Sequence, residues 1–140
     1  MSIKYYCEDV PFPKLKRRLT TDWIKSVIAK EGKVSGDISF VFCSDAYLLN
    51  INISFLKHNF FTDVVTFDYV VGNQISGDIF ISIDRVAENA SEFNTSIENE
   101  LNRVMVHGTL HLLGYKDKNE IDKLKMTEKE DYYIKVLLDC

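Results

Sequence analysis

The sequence predicts an α+β fold, a single domain in which a mixed four-stranded sheet is packed with about five helices. Three observations carry that expectation. Strand-like runs fall at Ile3 to Cys7, at Asp37 to Cys43, where apolar positions alternate, and at Val64 to Tyr69 and Asp78 to Ile83, which are β-rich. Everything beyond Asp84 reads as helix, and strands followed by a block of helices segregate into a sheet with helices packed over it. Finally, 140 residues with 46% hydrophobic content can bury one sizeable core, and nothing in that length asks for a second domain.

Each element has its own signals. After the first strand, Pro11 and Pro13 lead into a helix from about Leu15 to Ala29, closed by Gly32, with Trp23, Val27 and Ile28 facing inward. In the second strand Ile38, Phe40 and Phe42 oppose Ser39 and Val41, which predicts one better buried face. Ser44 is the expected N-cap of a second helix running through Leu56. The runs at Val64 and Asp78 should pair as neighbours across a loop holding Gly72, Asn73 and Gly77. A short helix to about Phe93 precedes a helix that bears two histidines. For that helix Thr95 with Glu98 makes a capping box and Gly114 supplies the stop. A last helix covers about Asn119 to Leu138.

Composition excludes several classes of protein. Seventeen basic against twenty-one acidic residues give a net charge of −4, which argues against non-specific nucleic-acid binding over the whole surface. The densest basic cluster, Lys14, Lys16, Arg17 and Arg18, is read either as a solvated helix face or as a phosphate contact. No run approaches the roughly 20 apolar residues of a membrane span, and the N-terminal residues lack the apolar core of a signal peptide. A cytoplasmic protein without a membrane partner is expected. Cys7, Cys43 and Cys140 are widely spaced and form no Cys-x-x-Cys pair, so they are expected to be reduced thiols rather than disulfides or metal ligands.

The chemistry concentrates in His107-Gly-Thr-Leu-His111-Leu-Leu-Gly114-Tyr-Lys-Asp117. On a helix, positions i and i+4 lie on one face, so the two imidazoles can converge on one ion. Gly114 lets the chain leave the helix and return Asp117 toward the same point. Asp117 is then a third ligand, leaving a fourth position open as catalytic zinc sites do. Its other reading is N-cap of the following helix, in a capping box with Glu120. The spacing matches that of the metzincin proteases, but those carry a general-base Glu directly after the first His, where this chain has Gly108. Peptide hydrolysis by that route is not expected. On the same helix Arg103 shares the stripe of His107 and His111, while Leu101, Val104, Met105 and Leu112 cover much of the remainder.

With these residues on the page, the chain resembles the YbeY endoribonucleases of bacterial rRNA maturation. The family signature His-Gly-x-Leu-His-Leu-x-Gly-Tyr is present from His107 to Tyr115. The middle segment is matched by Ile51-Asn52, Phe55-Leu56 and Thr62-Asp63-Val64-Val65-Thr66-Phe67, and a strand start by Gly77-Asp78-Ile79. The resemblance implies a zincin-like domain that holds one zinc ion, or another divalent metal, on His107, His111 and Asp117. It implies a single-strand endoribonuclease acting in 16S rRNA 3′-end maturation and ribosome quality control. Its partners would be rRNA and the small ribosomal subunit, with a small-subunit ribosomal protein as guide.

Two departures set further expectations. The family's third ligand is His, and the aligned residue here is Asp117, a permissible oxygen ligand that changes the site's charge by one unit and widens metal choice toward manganese. The family's phosphate-binding Arg falls on Leu56, with Lys57 and His58 adjacent. Arg103 is therefore the candidate for the missing positive charge; its alternative is a structural ion pair with Glu100 or Asp63. Asp63 and Asp78 are candidates for proton transfer, against the plainer reading of each as a turn, cap or solvated strand residue. The rival to a nuclease is a non-catalytic ribosome-assembly factor with a structural metal, favoured by the acidic balance and by Leu56. A hydrolase of another substrate is a third reading.

Overall fold

The computed structural model describes residues 2–59 and 61–139, so Cys140 lies outside the described residues. Four strands form one sheet: β1 (Ile3–Cys7), β2 (Val34–Cys43), β3 (Val64–Asp68) and β4 (Gln74–Ser82), in the spatial order β1-β2-β4-β3. The β1–β2 and β2–β4 pairs are parallel and β3–β4 is antiparallel, with Val64 opposite Ile81 and Thr66 opposite Ile79. This is the mixed four-stranded sheet of the sequence reading. A parallel pair needs a crossover, and α1 (Arg17–Lys30) supplies it between β1 and β2. Gly77 stands inside β4 rather than in the loop before it, because β4 begins at Gln74, four residues before the Asp78 start that its β-rich run suggests.

Five α-helices complete the fold: α1, α2 (Asp45–Ile51), α3 (Ile83–Glu92), α4 (Ile97–Leu112) and α5 (Glu120–Leu138). The main core lies on one face of the sheet. Ile38, Phe40 and Phe42 of β2 and Ile79 and Ile81 of β4 meet Trp23, Val27 and Ile28 of α1, Leu101, Val104 and Met105 of α4, and Tyr133 and Ile134 of α5. The Trp23 indole donates to the Tyr133 carbonyl at 2.8 Å, which ties α1 to α5 without leaving a buried donor unpaired. On the opposite face Cys43, Leu48, Ile51 and Val65 form a smaller cluster with Phe67 and Phe80. Val41 and Cys43 are therefore buried as well, and β2 has two covered faces rather than one.

The caps explain where the helices begin. Ser44 accepts from the Tyr47 amide and Asn119 from the Asp122 amide. Asn119, not Asp117, is thus the N-cap of α5, and Asp117 is left for other work. At α4 the cap is Ser96, which accepts from the Asn99 amide at 3.0 Å; Thr95 is not the cap. The Thr95 amide is used to close α3 on the Ala90 carbonyl, behind Asn94 in a left-handed conformation (φ 54°), so the next helix starts one residue later.

The second helix changes character before it ends. After Ile51 it continues as a π-helical turn, Asn52–Leu56, and stops at Lys57 with φ 56°. Such turns are rare and recur at functional sites. Here the turn carries Asn52 and Leu56 to one wall of the cavity described next. Among the described residues, no helix is long and apolar enough to cross a membrane.

Candidate metal centre

The site grows out of α4. Its N-terminal part is locked by Leu101, Val104 and Met105 in the core, and Gly108 lies directly against β4. A Cβ on Gly108 would stand 2.7 Å from the Ile79 Cγ2, so a Glu there would push the helix off the sheet. The position of the protease base is closed by packing. Beyond Leu112, Gly114 takes φ 104°, and the Tyr115 amide returns to the Leu110 carbonyl at 3.0 Å. That reversal brings Asp117 back over the two histidines.

The result is a three-atom cluster. The Nε2 atoms of His107 and His111 lie 3.0 Å apart, and Asp117 Oδ2 lies 3.2 Å from the first and 3.5 Å from the second. The other nitrogen of each ring is already committed. His107 Nδ1 pairs with Glu130 Oε2 at 2.5 Å, and His111 Nδ1 donates to the Tyr115 carbonyl at 3.0 Å. A carbonyl and a carboxylate are both acceptors, so in the neutral rings each proton sits on Nδ1 and each Nε2 presents a lone pair. Two lone pairs and a carboxylate oxygen at these separations repel one another unless a metal ion lies between them or His107 takes up a second proton and shares it with His111 and Asp117. Tetrahedral ligands at about 2.0–2.1 Å from zinc stand ~3.3 Å apart, which these spacings already match. The donor set fits a divalent ion of the zinc class, and His107, His111 and Asp117 form the one group of this kind among the described residues.

The surroundings act on the two rings in opposite directions. Burial would lower His107, but the Glu130 carboxylate, with Asp63 and Asp117 beyond it, reverses the direction and holds it above its usual value. His111 moves the other way, through burial and through the neighbouring His107. Glu130 is nearly buried, at 9% side-chain exposure, and is also held by Arg103, whose Nη1 lies 3.0 Å from its Oε1. The second Arg103 nitrogen, Nη2, is 2.8 Å from Asp131 Oδ1. Arg103 therefore pairs with two carboxylates of α5 rather than with Glu100 or Asp63, and it does not line the cavity.

That cavity has a volume of about 280 Å³ and is lined by the three ligands, by Asn52, Leu56 and His58, and by the stretch from Thr62 to Thr66. Asp63 is on it, and burial raises its carboxyl above the ordinary aspartate value. Asp78 is not; it interacts with the Tyr69 hydroxyl instead. The basic cluster near the N-terminus also lies elsewhere, with Arg17 stacked over Phe12 at 4.2 Å. Cys7 and Cys43 are free thiols, and burial pushes the Cys43 thiol up to about 12, which makes it inert near neutrality.

Sequence reasoning missed Glu130. The signal was there: the buried stripe of α5 runs Met126, Glu130, Tyr133, Ile134 and Leu137, and a carboxylate on an apolar stripe needs a partner.

The family model described as Endoribonuclease YbeY matches residues 4–137. This chain belongs to the YbeY family. Curated relatives carrying that same name include one from Parabacteroides distasonis, 45% identical over 137 residues that span 98% of this chain and 96% of the relative. Another, from Flavobacterium johnsoniae, is 53% identical over 111 residues, 79% of this chain and 80% of the relative. Among solved structures, the solution structure of a Thermotoga maritima protein superposes with a TM-score of 0.66 at 26% identity, covering 96% of this chain and 88% of that one. The YbeY assignment and the α+β architecture thus rest on separate comparisons that agree.

Proposed function

We propose that this chain is a zinc-dependent endoribonuclease of the cytoplasm that cuts single-stranded RNA, with the 3′ end of 16S rRNA on the small ribosomal subunit as its setting and a small-subunit ribosomal protein as guide. The observation that carries the reading is the tautomer lock: each imidazole spends Nδ1 on a fixed acceptor and turns Nε2, with Asp117, toward a cavity open to substrate. The family name supports the substrate class.

A bound divalent ion supplies Lewis acidity toward a phosphodiester oxygen and acidifies water near neutral pH. The chain's own residues do the rest. His107, His111 and Asp117 would hold the ion. Asp63, on the facing wall and raised by burial, is a stronger proton acceptor than an ordinary aspartate and takes the proton of the attacking oxygen. It answers for the carboxylate that Gly108 excludes. Arg103, held between Glu130 and Asp131, contributes through Glu130 by fixing His107 rather than by touching phosphate. Thr62, Asn52 and His58 offer polar contacts along the cavity, and the exposed Lys57 adjoins it.

The test pairs a metal count with cleavage of a single-stranded RNA by the wild-type chain and by His111→Ala. One zinc per chain and cleavage lost in the variant are expected. Unchanged cleavage by a folded, metal-free variant overturns the nuclease mechanism. One observation favours a ribosome-assembly factor with a structural ion: Leu56 and the paired Arg103 leave the cavity lining without an arginine or lysine. Under that reading the wild type carries metal, binds the small subunit and leaves every RNA intact.

A further inference from the structure

The two histidines are oriented by different means, and the means used for His111 reaches across the molecule. Its acceptor is the backbone carbonyl of Tyr115, in the turn between Gly114 and Asp117. A carbonyl in a turn orients a ring only as well as the turn is held. The Tyr115 hydroxyl donates to Glu31 Oε1 at 2.6 Å, across 84 residues of sequence. Glu31 is the C-cap residue of α1 and its side chain is only 13% exposed. Its other oxygen accepts from the Tyr133 hydroxyl and from Lys129 Nζ at 3.2 Å, so two residues of α5 hold the carboxylate that holds Tyr115. The ring of Tyr115 is a rigid lever between a fixed hydroxyl and the carbonyl that carries His111.

We propose that Glu31 is a positioning residue for the metal centre, acting through Tyr115 on the His111 imidazole and on the turn that presents Asp117. The proposal rests on the metal-centre reading and adds a residue that neither touches the ion nor lines the cavity. α1, α4 and α5 are thereby joined at two points beside the site: Glu130 braces His107 directly, and Glu31 braces His111 at one remove. Loss of the Glu31 brace lets the turn after Gly114 relax, which frees the His111 ring to exchange tautomers and moves Asp117 off the ion.

Tyr115→Phe removes one hydroxyl and leaves Glu31 paired with Tyr133 and Lys129. Two measurements test it: zinc affinity by chelator competition, and nitrogen-15 imidazole shifts of the metal-free chain, which report the tautomer of each histidine. Zinc affinity about 10- to 100-fold weaker is expected, with His111 in mixed tautomers and His107 still protonated on Nδ1. Glu31→Gln keeps an acceptor oxygen and should fall between wild type and Tyr115→Phe, a graded order that a general packing defect would not give. Should Tyr115→Phe fail to fold, Glu31→Gln and Lys129→Met carry the same two readouts. Wild-type zinc affinity together with a fixed His111 tautomer in the variants overturns the proposal. If the wild-type chain itself binds no zinc, the metal-centre reading fails, while mixed His111 tautomers in the variants still support the brace and a fixed tautomer still overturns it.

Discussion

The cavity has two walls made in opposite ways. One wall, from α4 and α5, is a set of charged and polar groups that hold one another: His107 on Glu130, Glu130 on Arg103, Arg103 on Asp131, His111 on Tyr115. The other wall, from the π-helical turn and the segment leading into β3, brings Leu56, His58, Thr62 and Asp63, with Phe55 and Phe61 standing exposed beside it. The first wall holds its side chains by contacts within the protein and turns only the two Nε2 atoms to the cavity, and the second leaves surface for something else to cover. A partly buried network of paired groups holds its side chains in place, whereas exposed aromatic rings next to a polar slot suit bases that have left a helix. The difference assigns preorganisation to one wall and admission of substrate to the other.

Asp63 is where the division can be broken most sharply, because it is the titratable carboxylate of the substrate wall. Asp63→Asn should keep the metal count of the wild type and lower RNA cleavage by about 10²- to 10⁴-fold, the usual contribution of a positioned acid or base. Cleavage within a few-fold of wild type would move proton transfer to another group and leave the substrate wall purely a docking surface.

Glu130→Ala tests the opposite wall. It strips the partner from His107 and leaves Arg103 with Asp131 alone, so metal affinity should fall by about 10- to 100-fold and stability by roughly 3 kcal/mol, as when one member of a nearly buried ion pair is removed. A chelator titration and a urea melt measure the two effects. If only stability drops while metal affinity holds, Glu130 braces the helices and not the ligand.

How far the two walls were legible in the sequence follows the same line. His107, His111, Gly114 and Asp117 are within eleven residues of one another, and helix geometry with one left-handed glycine is enough to place them. Ser44 and the strands could be read because caps and alternation are local signals. Glu130 stands 23 residues from the histidine it orients and Glu31 is 84 from Tyr115, separations at which only the packing of α1, α4 and α5 decides who meets whom. The Thr95 cap was misplaced by one residue because closing α3 consumed its amide, a competition invisible to a four-residue pattern. Arg103 was visible on the right stripe, yet its partners come from α5. The π-helical turn had no sequence signal that separates it from the α-helix it extends.

Leu56→Arg sharpens the comparison from the substrate side. A cation added to the cavity lining gains a charge-assisted bond to phosphate, so affinity for single-stranded RNA should rise by about tenfold. The slope of log affinity against log salt should steepen by about 0.7, one phosphate contact on a single strand. A filter-binding series over salt reads both quantities, and an unchanged slope would show that phosphate does not pass over Leu56.

The smallest effect expected is a pH dependence at the outer end of the rigid wall. Burial alone would lift the Glu31 carboxyl, but the hydrogen bonds from Tyr115, Tyr133 and Lys129, with the ammonium charge, outweigh it and hold it below its usual value. A carboxyl depressed in the folded state contributes stability that is present above its unfolded value, about 4.3, and is lost as pH falls through the folded one. Burial and the Glu31 charge raise the Tyr115 hydroxyl, so its contribution is present below about 10 and disappears above it. The stability difference between wild type and Glu31→Gln should therefore be flat from about pH 5 to pH 9 and shrink on both sides. A difference that stays flat down to pH 3 would mean that the Glu31 carboxyl titrates alike folded and unfolded, and that the phenols and the lysine do not hold it as a carboxylate. The brace on His111 would then be a matter of shape alone, and the two walls would differ less in electrostatics than their geometry implies.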